Sequence, residues 1–315
     1  MPGLVLVTGA TGMAGRFIVP ALLRAGFAVR AQYLRTPGDV SGVEWRKWDF
    51  LESLAVAPLI EGCHAVVHLA ADLSDVAKMD RVNVDATRAL ASAAAAGRVG
   101  YFAHASSIVV YGSPCRREVD ERTPLLDLAK SIERQYYAEH YMRQYARTKA
   151  MAEIALRELA PAMRVDLLRP AVVADLHRIM ESARWSLPRK IGALYRRTQY
   201  IYAEDAAAAV THLLVRGLNE MSSHIEAYNI CDEGGGTFRE FFSRAHAITR
   251  DPRFLAPFEL PVVLDMAKDL VRYRNFEIRY PLGMLKLSNA KLRATGFRFP
   301  TGFDAAMRLA LGQGM

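Results

Sequence analysis

The stretch LVLVTGATGMAG, residues 4–15, constrains the fold more than any other part of this 315-residue chain. Four apolar residues give the pattern of a buried strand, and glycines follow at 9, 12 and 15. An apolar-periodic segment then runs to Gly26, and a second short strand, AVRAQYL, comes after it. Strand, glycine turn, helix and strand open a βαβ unit. The glycines permit a tight turn and close backbone approach, and the helix N-terminus offers N–H groups to a diphosphate. An isolated glycine triplet says little; set between this strand and this helix it points to dinucleotide binding.

The rest of the composition narrows the class. Hydrophobic residues make up 51% of the chain, enough for one large α/β domain or a domain with a smaller appendage. No run of 18 apolar residues occurs, so no membrane partner is expected. The opening residues run straight into a strand, without the pattern of a signal peptide. Cys63, Cys115 and Cys231 are odd in number and far apart, which argues against a disulfide framework or a metal site and suits reduced cysteines in the cytoplasm. The net charge of +8 is spread along the chain, mostly as arginine, with pairs at Arg116–Arg117 and Arg196–Arg197. No basic helix or aromatic-interleaved basic run stands out, so no nucleic-acid partner is expected; an anionic cofactor or small-molecule substrate suits this charge.

A second short stretch, YARTK at 145–149, sets a tyrosine four positions before a lysine. In a helix the two share a face. Among 13 tyrosines such a pair is also compatible with an ordinary helical surface, so its meaning depends on its surroundings.

Those surroundings carry a resemblance. The spacing TGxxGxxG, from Thr8 to Gly15, departs from GxGxxG and resembles the extended short-chain dehydrogenase/reductase superfamily, the NAD-dependent epimerase/dehydratase group. The likeness continues in order through WDF (48–50), VVHLAA (66–71), NVDATRAL (83–90, with Asp85 where glycine is typical) and SSIVVYG (106–112). Further on come LLRPAVV (167–173), YIYAEDAAAAV (200–210), EAYNICD (226–232) and KLSNAKLRATGFRFP (286–300). It implies an α/β fold with a Rossmann-type, doubly wound parallel sheet from 1–168 and 198–232. A small, largely C-terminal substrate-binding part would come from 169–197 and 233–315, with ligands at the carboxyl ends of the strands.

The resemblance also implies roles. Gly9, Thr11, Gly12, Met13, Gly15 and Arg16 would contact the cofactor from the turn, and Arg35 from the end of the second strand. Asp49 and Phe50 would flank the adenine, while Leu69, Ala70 and Ala71 would pass the ribose and diphosphate. Tyr145, Lys149 and Pro170 complete the cofactor contacts. Ser107, Tyr145 and Lys149 would form the catalytic set for hydride exchange at a carbon bearing a hydroxyl or carbonyl, with Tyr145 as general acid/base. A free tyrosine titrates at about 10, so work as a base near neutrality needs nearby positive charge, from Lys149 and the oxidised nicotinamide. Ser107 stands five residues before Gly112, where the family keeps its catalytic hydroxyl. Ser106 competes, because a strand alternates its faces, and either serine could instead cap the strand end.

Cofactor form is read from the second strand. No Asp or Glu occurs until Asp39, while Arg35 and Arg16 are at hand, which favours NADP over NAD; either arginine could equally be a solvated surface group. The long interval from Ser107 to Tyr145 is expected to extend the helix carrying Tyr145 or to form a lid. Tyr137, Tyr141 and Tyr145, at steps of four, are expected to share a helical face, the first two as packing. Asp205 is expected to cap the helix that follows it.

Departures from the family pattern weigh the subclasses. Sugar-nucleotide 4,6-dehydratases place an Asp–Glu pair where this chain has Ile108 and Val109, which cannot transfer protons. The Asn and Tyr–Gly–Pro turn of nucleotide-sugar epimerases are missing after Pro170, and the family's diphosphate-binding arginine falls at Thr198, one residue from Arg197. The leading expectation is an NAD(P)-dependent oxidoreductase acting on a small non-nucleotide carbonyl or alcohol. A nucleotide-sugar epimerase with recycled NAD is the second, with Arg116, Arg117, Arg189, Arg196 and Arg197 as another route to a diphosphate site. A non-catalytic NADP-binding regulator is the third. Paired helices make homodimers common in the superfamily, and the sequence itself shows no interface.

Overall fold

The computed structural model describes residues 3–159, 163–175, 180–195, 199–220, 223–232, 238–255, 262–274 and 276–312. The expectations on Arg196, Arg197 and Thr198 lie outside them. The strands are β1 (Leu4–Thr8), β2 (Ala28–Tyr33), β3 (Val43–Lys47), β4 (Cys63–His68), β5 (Tyr101–Ala105), β6 (Glu118–Val119), β7 (Arg164–Pro170), β8 (Val172–Ala174), β9 (Tyr200–Tyr202), β10 (Ile225–Ile230) and β11 (Lys286–Leu287). Seven of them form one sheet in the order β10-β7-β5-β4-β1-β2-β3. The pairs from β3 across to β7 are parallel, with Val5 opposite Val29 and Ala65, and His68 opposite His104. This is the doubly wound Rossmann-type sheet. Its order reverses beside β1, which opens a crevice at the carboxyl ends of β1 and β4.

Burial explains why these segments are strands. Val5, Leu6 and Val7 of β1 and Ala65, Val66 and Val67 of β4 are fully covered, as expected of a central strand with helices on the sheet. The helices of this region are α1 (Gly15–Arg24), the short α2 (Ala57–Ile60) and α3 (Val76–Met79), α4 (Ala86–Ala96) and α5 (His140–Leu159). Leu6, Val66, Phe102 and Val165 from neighbouring strands pack with Leu90, Ala94 and Leu156 of α4 and α5. Each of the larger of these side chains contributes roughly 1.5–3 kcal/mol on burial. Helix α4 packs on α5, and Ala91 and Ala94 of the one and Ala150 and Ala152 of the other are almost fully buried. Small side chains let the two backbones come close.

The chain divides into two compact units, one of residues 1–110, 139–169 and 206–228 and the other of 111–138, 170–205 and 229–315. Compared with the expected division, 111–138, 198–205 and 229–232 group with the second unit, and Arg169 with the first. That unit has its own core, in which Phe241, Phe242 and Phe254 meet Ala174, Ala183 and Met307. Among the described residues no helix is long and apolar enough to cross a membrane.

Two local expectations are corrected here. The helix carrying Tyr145 starts only at His140, so Tyr137 does not share its face. Tyr137 is held before the helix instead: its N–H donates to Ser113 Oγ at 3.1 Å and its ring stacks on Tyr273 with centroids 4.9 Å apart. Tyr141 is in the helix but 46% exposed, while Tyr145 is buried. Asp205 caps a different helix from the one expected. It lies in the first turn of the helix Ala203–Glu220, and its carboxylate accepts from the N–H groups of Thr301 and Gly302 at 2.9 and 2.7 Å. It thereby holds the start of the helix Gly302–Ala310.

Candidate active site

The glycine turn is braced from both neighbouring strands. Gly9 has φ +63°, and a Cβ there would stand 2.8 Å from Ala70 N, so only glycine fits. Its N–H donates to the Gln32 side chain of β2 at 2.7 Å, and Gln32 also reaches Trp48 O at 2.7 Å. A Cβ on Gly15 would lie 2.5 Å from the Gly9 and Ala10 carbonyl oxygens, which shows how closely α1 abuts the turn. At the end of β4, Thr8 Oγ1 and His68 Nδ1 are 2.6 Å apart, and the Leu69 and Ala70 N–H groups donate to the same hydroxyl at 3.2 and 3.3 Å. No acidic side chain occupies the first turn of α1 and no side chain caps it. The positive end of that helix therefore faces the turn.

Beside the turn lies a cleft of about 450 Å³, lined by Ala10, Thr11, Arg16, Arg35, Thr36 and Asp39 among others. Thr11, Arg16 and Arg35 are exposed, Met13 half-buried. This donor set, two guanidiniums and hydroxyls beside a glycine cradle closed to any Cβ, fits a dinucleotide. Asp49 makes a local turn, accepting from Leu51 N at 2.8 Å, and Phe50 is buried with its ring edge-on to His68 at 6.3 Å. Leu69, Ala70 and Ala71 are half-buried after β4; Pro170 ends β7 and belongs to the second unit.

The proposed chemistry rests on α5. Tyr145, Lys149 and Glu153 recur every four residues on its buried face. Lys149 Nζ donates to Ala105 O at 2.7 Å and lies 5.8 Å from the centre of the Tyr145 ring. Burial pulls Lys149 down to about 7, and the Glu153 carboxylate opposes that fall. Burial pushes the Tyr145 phenol up, keeping its proton on at neutral pH. Asn83 ties α5 to the segment before α4: its side chain exchanges hydrogen bonds with the Asp72 backbone at 2.8 and 2.9 Å and donates to Thr148 Oγ1 at 3.0 Å.

The two serines after β5 differ. Ser106 is 2% exposed and donates to Glu153 Oε1 at 2.6 Å. Ser107 is half-buried, and its hydroxyl accepts from Val109 N at 3.3 Å. Ser106 is thus committed to the interior, and Ser107 caps the turn formed by Ile108–Tyr111, where Ile108 and Val109 are buried.

Several residues around this site were not singled out from the sequence. Glu153 receives Arg169 through two hydrogen bonds, at 2.9 and 2.6 Å, and both side chains are buried. His68 bridges Thr8 and Thr87, and burial, with Lys149 as a second cause, drops it to about 3. Signals did exist: Glu153 extends the four-residue period of Tyr145 and Lys149, and Arg169 interrupts an apolar strand, where a charge needs a partner.

This sheet and site define an extended short-chain dehydrogenase/reductase. More narrowly, the chain belongs to the NAD-dependent epimerase/dehydratase family, whose pattern matches residues 5–231. It is 25% identical to cinnamoyl-CoA reductase 2 of Medicago truncatula over 323 residues, covering 94% of this chain and 86% of that protein. It is 27% identical over 178 residues to the fatty acid hydroxylase uhd1 of Mycosarcoma maydis, covering 54% of this chain and only 58% of the relative. A short-chain dehydrogenase/reductase superfamily protein from Agrobacterium tumefaciens, solved with bound NAD, superposes with a TM-score of 0.74 at 23% identity, covering 98% and 96% of the two chains.

Proposed function

We propose that the protein is an NADP(H)-dependent oxidoreductase acting on the carbonyl or alcohol of a small non-nucleotide substrate. The observation that carries this reading is the buried Tyr145–Lys149 face of α5, with Lys149 anchored to Ala105 at the strand end that precedes Ser107. When bound, the nicotinamide supplies or accepts the hydride. Ser107 holds the substrate oxygen. As hydride reaches the carbonyl carbon, the Tyr145 phenol gives its proton to that oxygen and an alcohol forms. Burial keeps that phenol protonated, the state reduction needs. Charged Lys149 then stabilises the phenolate left behind.

Gly9, Gly12 and Gly15 would cradle the diphosphate at the start of α1. Arg16 and Arg35 share one cleft with Thr36, which supports a ribose 2′-phosphate and hence NADP over NAD. The relative named cinnamoyl-CoA reductase, matched along most of this chain, supports reduction. Among the described residues, the arginines of the epimerase route are engaged within the protein: Arg116 bonds Thr123 and Asp120, Arg117 donates to Met284 O, and Arg189 stacks on Trp185 at 4.2 Å. The test is a titration with NADPH, NADH and UDP-sugars, followed by nicotinamide fluorescence and thermal shift. Tighter NADPH binding with no response to nucleotide sugars is expected, and directs a substrate screen to carbonyl compounds. Tight NAD binding together with a UDP-sugar shift would overturn the reading.

A further inference from the structure

One buried charge near the site has no part in the proton transfer just described. Glu153, one turn beyond Lys149, is fully buried and ionically paired with Arg169 of β7. Its Oε1 also takes the Ser106 hydroxyl at 2.6 Å. A single carboxylate therefore joins the catalytic helix to two strand ends, one of which leads into Ser107. Breaking such a pair is costly, so the clamp has only one arrangement.

We propose that Glu153 is a positioning residue: gripped by Arg169 and Ser106, it locks α5 onto the ends of β5 and β7 and holds Lys149 in its charged form. The groups facing Lys149 support this. Tyr145 and Glu153 lie on its own helix; His68 and His104 face it from β4 and β5, with ring centroids 5.4 Å apart. Burial holds both histidines far below their ordinary range, so they present neutral rings and add no repulsion. Glu153 is then the negative charge acting on Lys149 against the pull of burial. Around Glu153 itself stand Arg169, Ser106 and, at 3.9 Å, Arg157. The Ser106 bond has a second consequence. It withdraws one of the two adjacent hydroxyls and leaves Ser107 as the one available to substrate.

The role for Ser107 and Tyr145 rests on the oxidoreductase reading; the coupling of Glu153 to Lys149 does not. The experiment therefore reads Lys149 directly, through its ¹³Cε resonance between pH 5 and 10, assigned by its loss in Lys149→Met. In Glu153→Gln the Lys149 midpoint falls by about one pH unit. In Ser106→Ala the carboxylate loses a donor that partly neutralises it, so the midpoint rises. An unchanged midpoint in Glu153→Gln, or an unchanged or lower one in Ser106→Ala, overturns the proposal. The serine variant carries the test alone if the glutamate variant fails to fold. Where turnover is found, the alkaline limb of the kcat profile moves down with the midpoint in Glu153→Gln, whereas a purely structural loss lowers kcat equally at every pH. Absence of turnover with intact Lys149 shifts would count against the oxidoreductase reading and leave the coupling standing.

Discussion

The buried seam along α5 and the open cleft at the end of β2 handle charge in opposite ways. In the seam, Lys149, Glu153 and Arg169 are almost wholly removed from water and satisfied by Ala105, Ser106 and one another. In the cleft, Arg16 and Arg35 stand in solvent. A buried charge is bound to the fold, so changing it alters the stability of the whole unit. An exposed one can be changed at little cost to the fold. In the proposed reaction the seam would carry the chemistry, and the cleft would choose the cofactor form.

The seam should give the largest effects. Tyr145→Phe removes the proton donor and keeps the ring; turnover falls by about 10²–10⁴-fold while NADPH affinity by fluorescence stays within about twofold of wild type. Retained turnover would remove the seam from the chemistry. Arg169→Met leaves Glu153 buried without its close ion pair, with only Arg157 at 3.9 Å and Ser106 beside it, and urea unfolding should show a loss of about 3 kcal/mol.

Protonation sharpens the contrast further. His68 titrates at about 3 in the fold against 6.5 when exposed, so the unfolded chain binds more protons between those values. Stability is fully present above pH 6.5 and drains away as pH falls towards 3. Lys149 behaves likewise in a higher window: with a folded value of about 7 against 10.5, stability rises from pH 7 to 10.5. The charged lysine that the proposed reaction needs is thus the form burial disfavours, with Glu153 opposing that pull. Lys149→Met should be more stable than wild type at pH 6, with the gap closing towards pH 10; thermal melts across that range decide it.

The smaller effects belong to the turn and the cleft. Gly15→Ala pushes a methyl against the Gly9 and Ala10 carbonyls and should cost about 1–3 kcal/mol, read as a lower Tm and weaker binding of NADPH and NADH alike. Arg35→Glu should leave Tm unchanged and shift the NADPH-to-NADH affinity ratio towards NADH by about tenfold, the scale of one charge-assisted bond. A variant that destabilised the protein instead would show that the cleft is built into the fold as the seam is.

Much of this was legible because it is periodic or local. The βαβ opening follows from an apolar run, three glycines and an apolar-periodic helix, and each of these is a short-range property. The Tyr145–Lys149 face follows from a four-residue step. What could not be read were contacts closing over long stretches of chain. Tyr137 keeps the same step as Tyr141 and Tyr145, yet a stack on Tyr273 and a bond to Ser113 hold it before the helix begins. Asp205 looks like a cap for its own helix and serves one that starts almost a hundred residues later. The two serines were indistinguishable until Glu153 claimed one.

By itself, then, the sequence determined the parallel doubly wound sheet, the glycine cradle and the pairing of tyrosine with lysine, since backbone sterics and helical period act on neighbours. Only the tertiary structure decided which hydroxyl is left to the site, which carboxylate acts on Lys149 and where Arg169 finds its partner. Those choices depend on which distant groups are buried together, because a charge taken out of water must be answered by whatever the fold brings beside it.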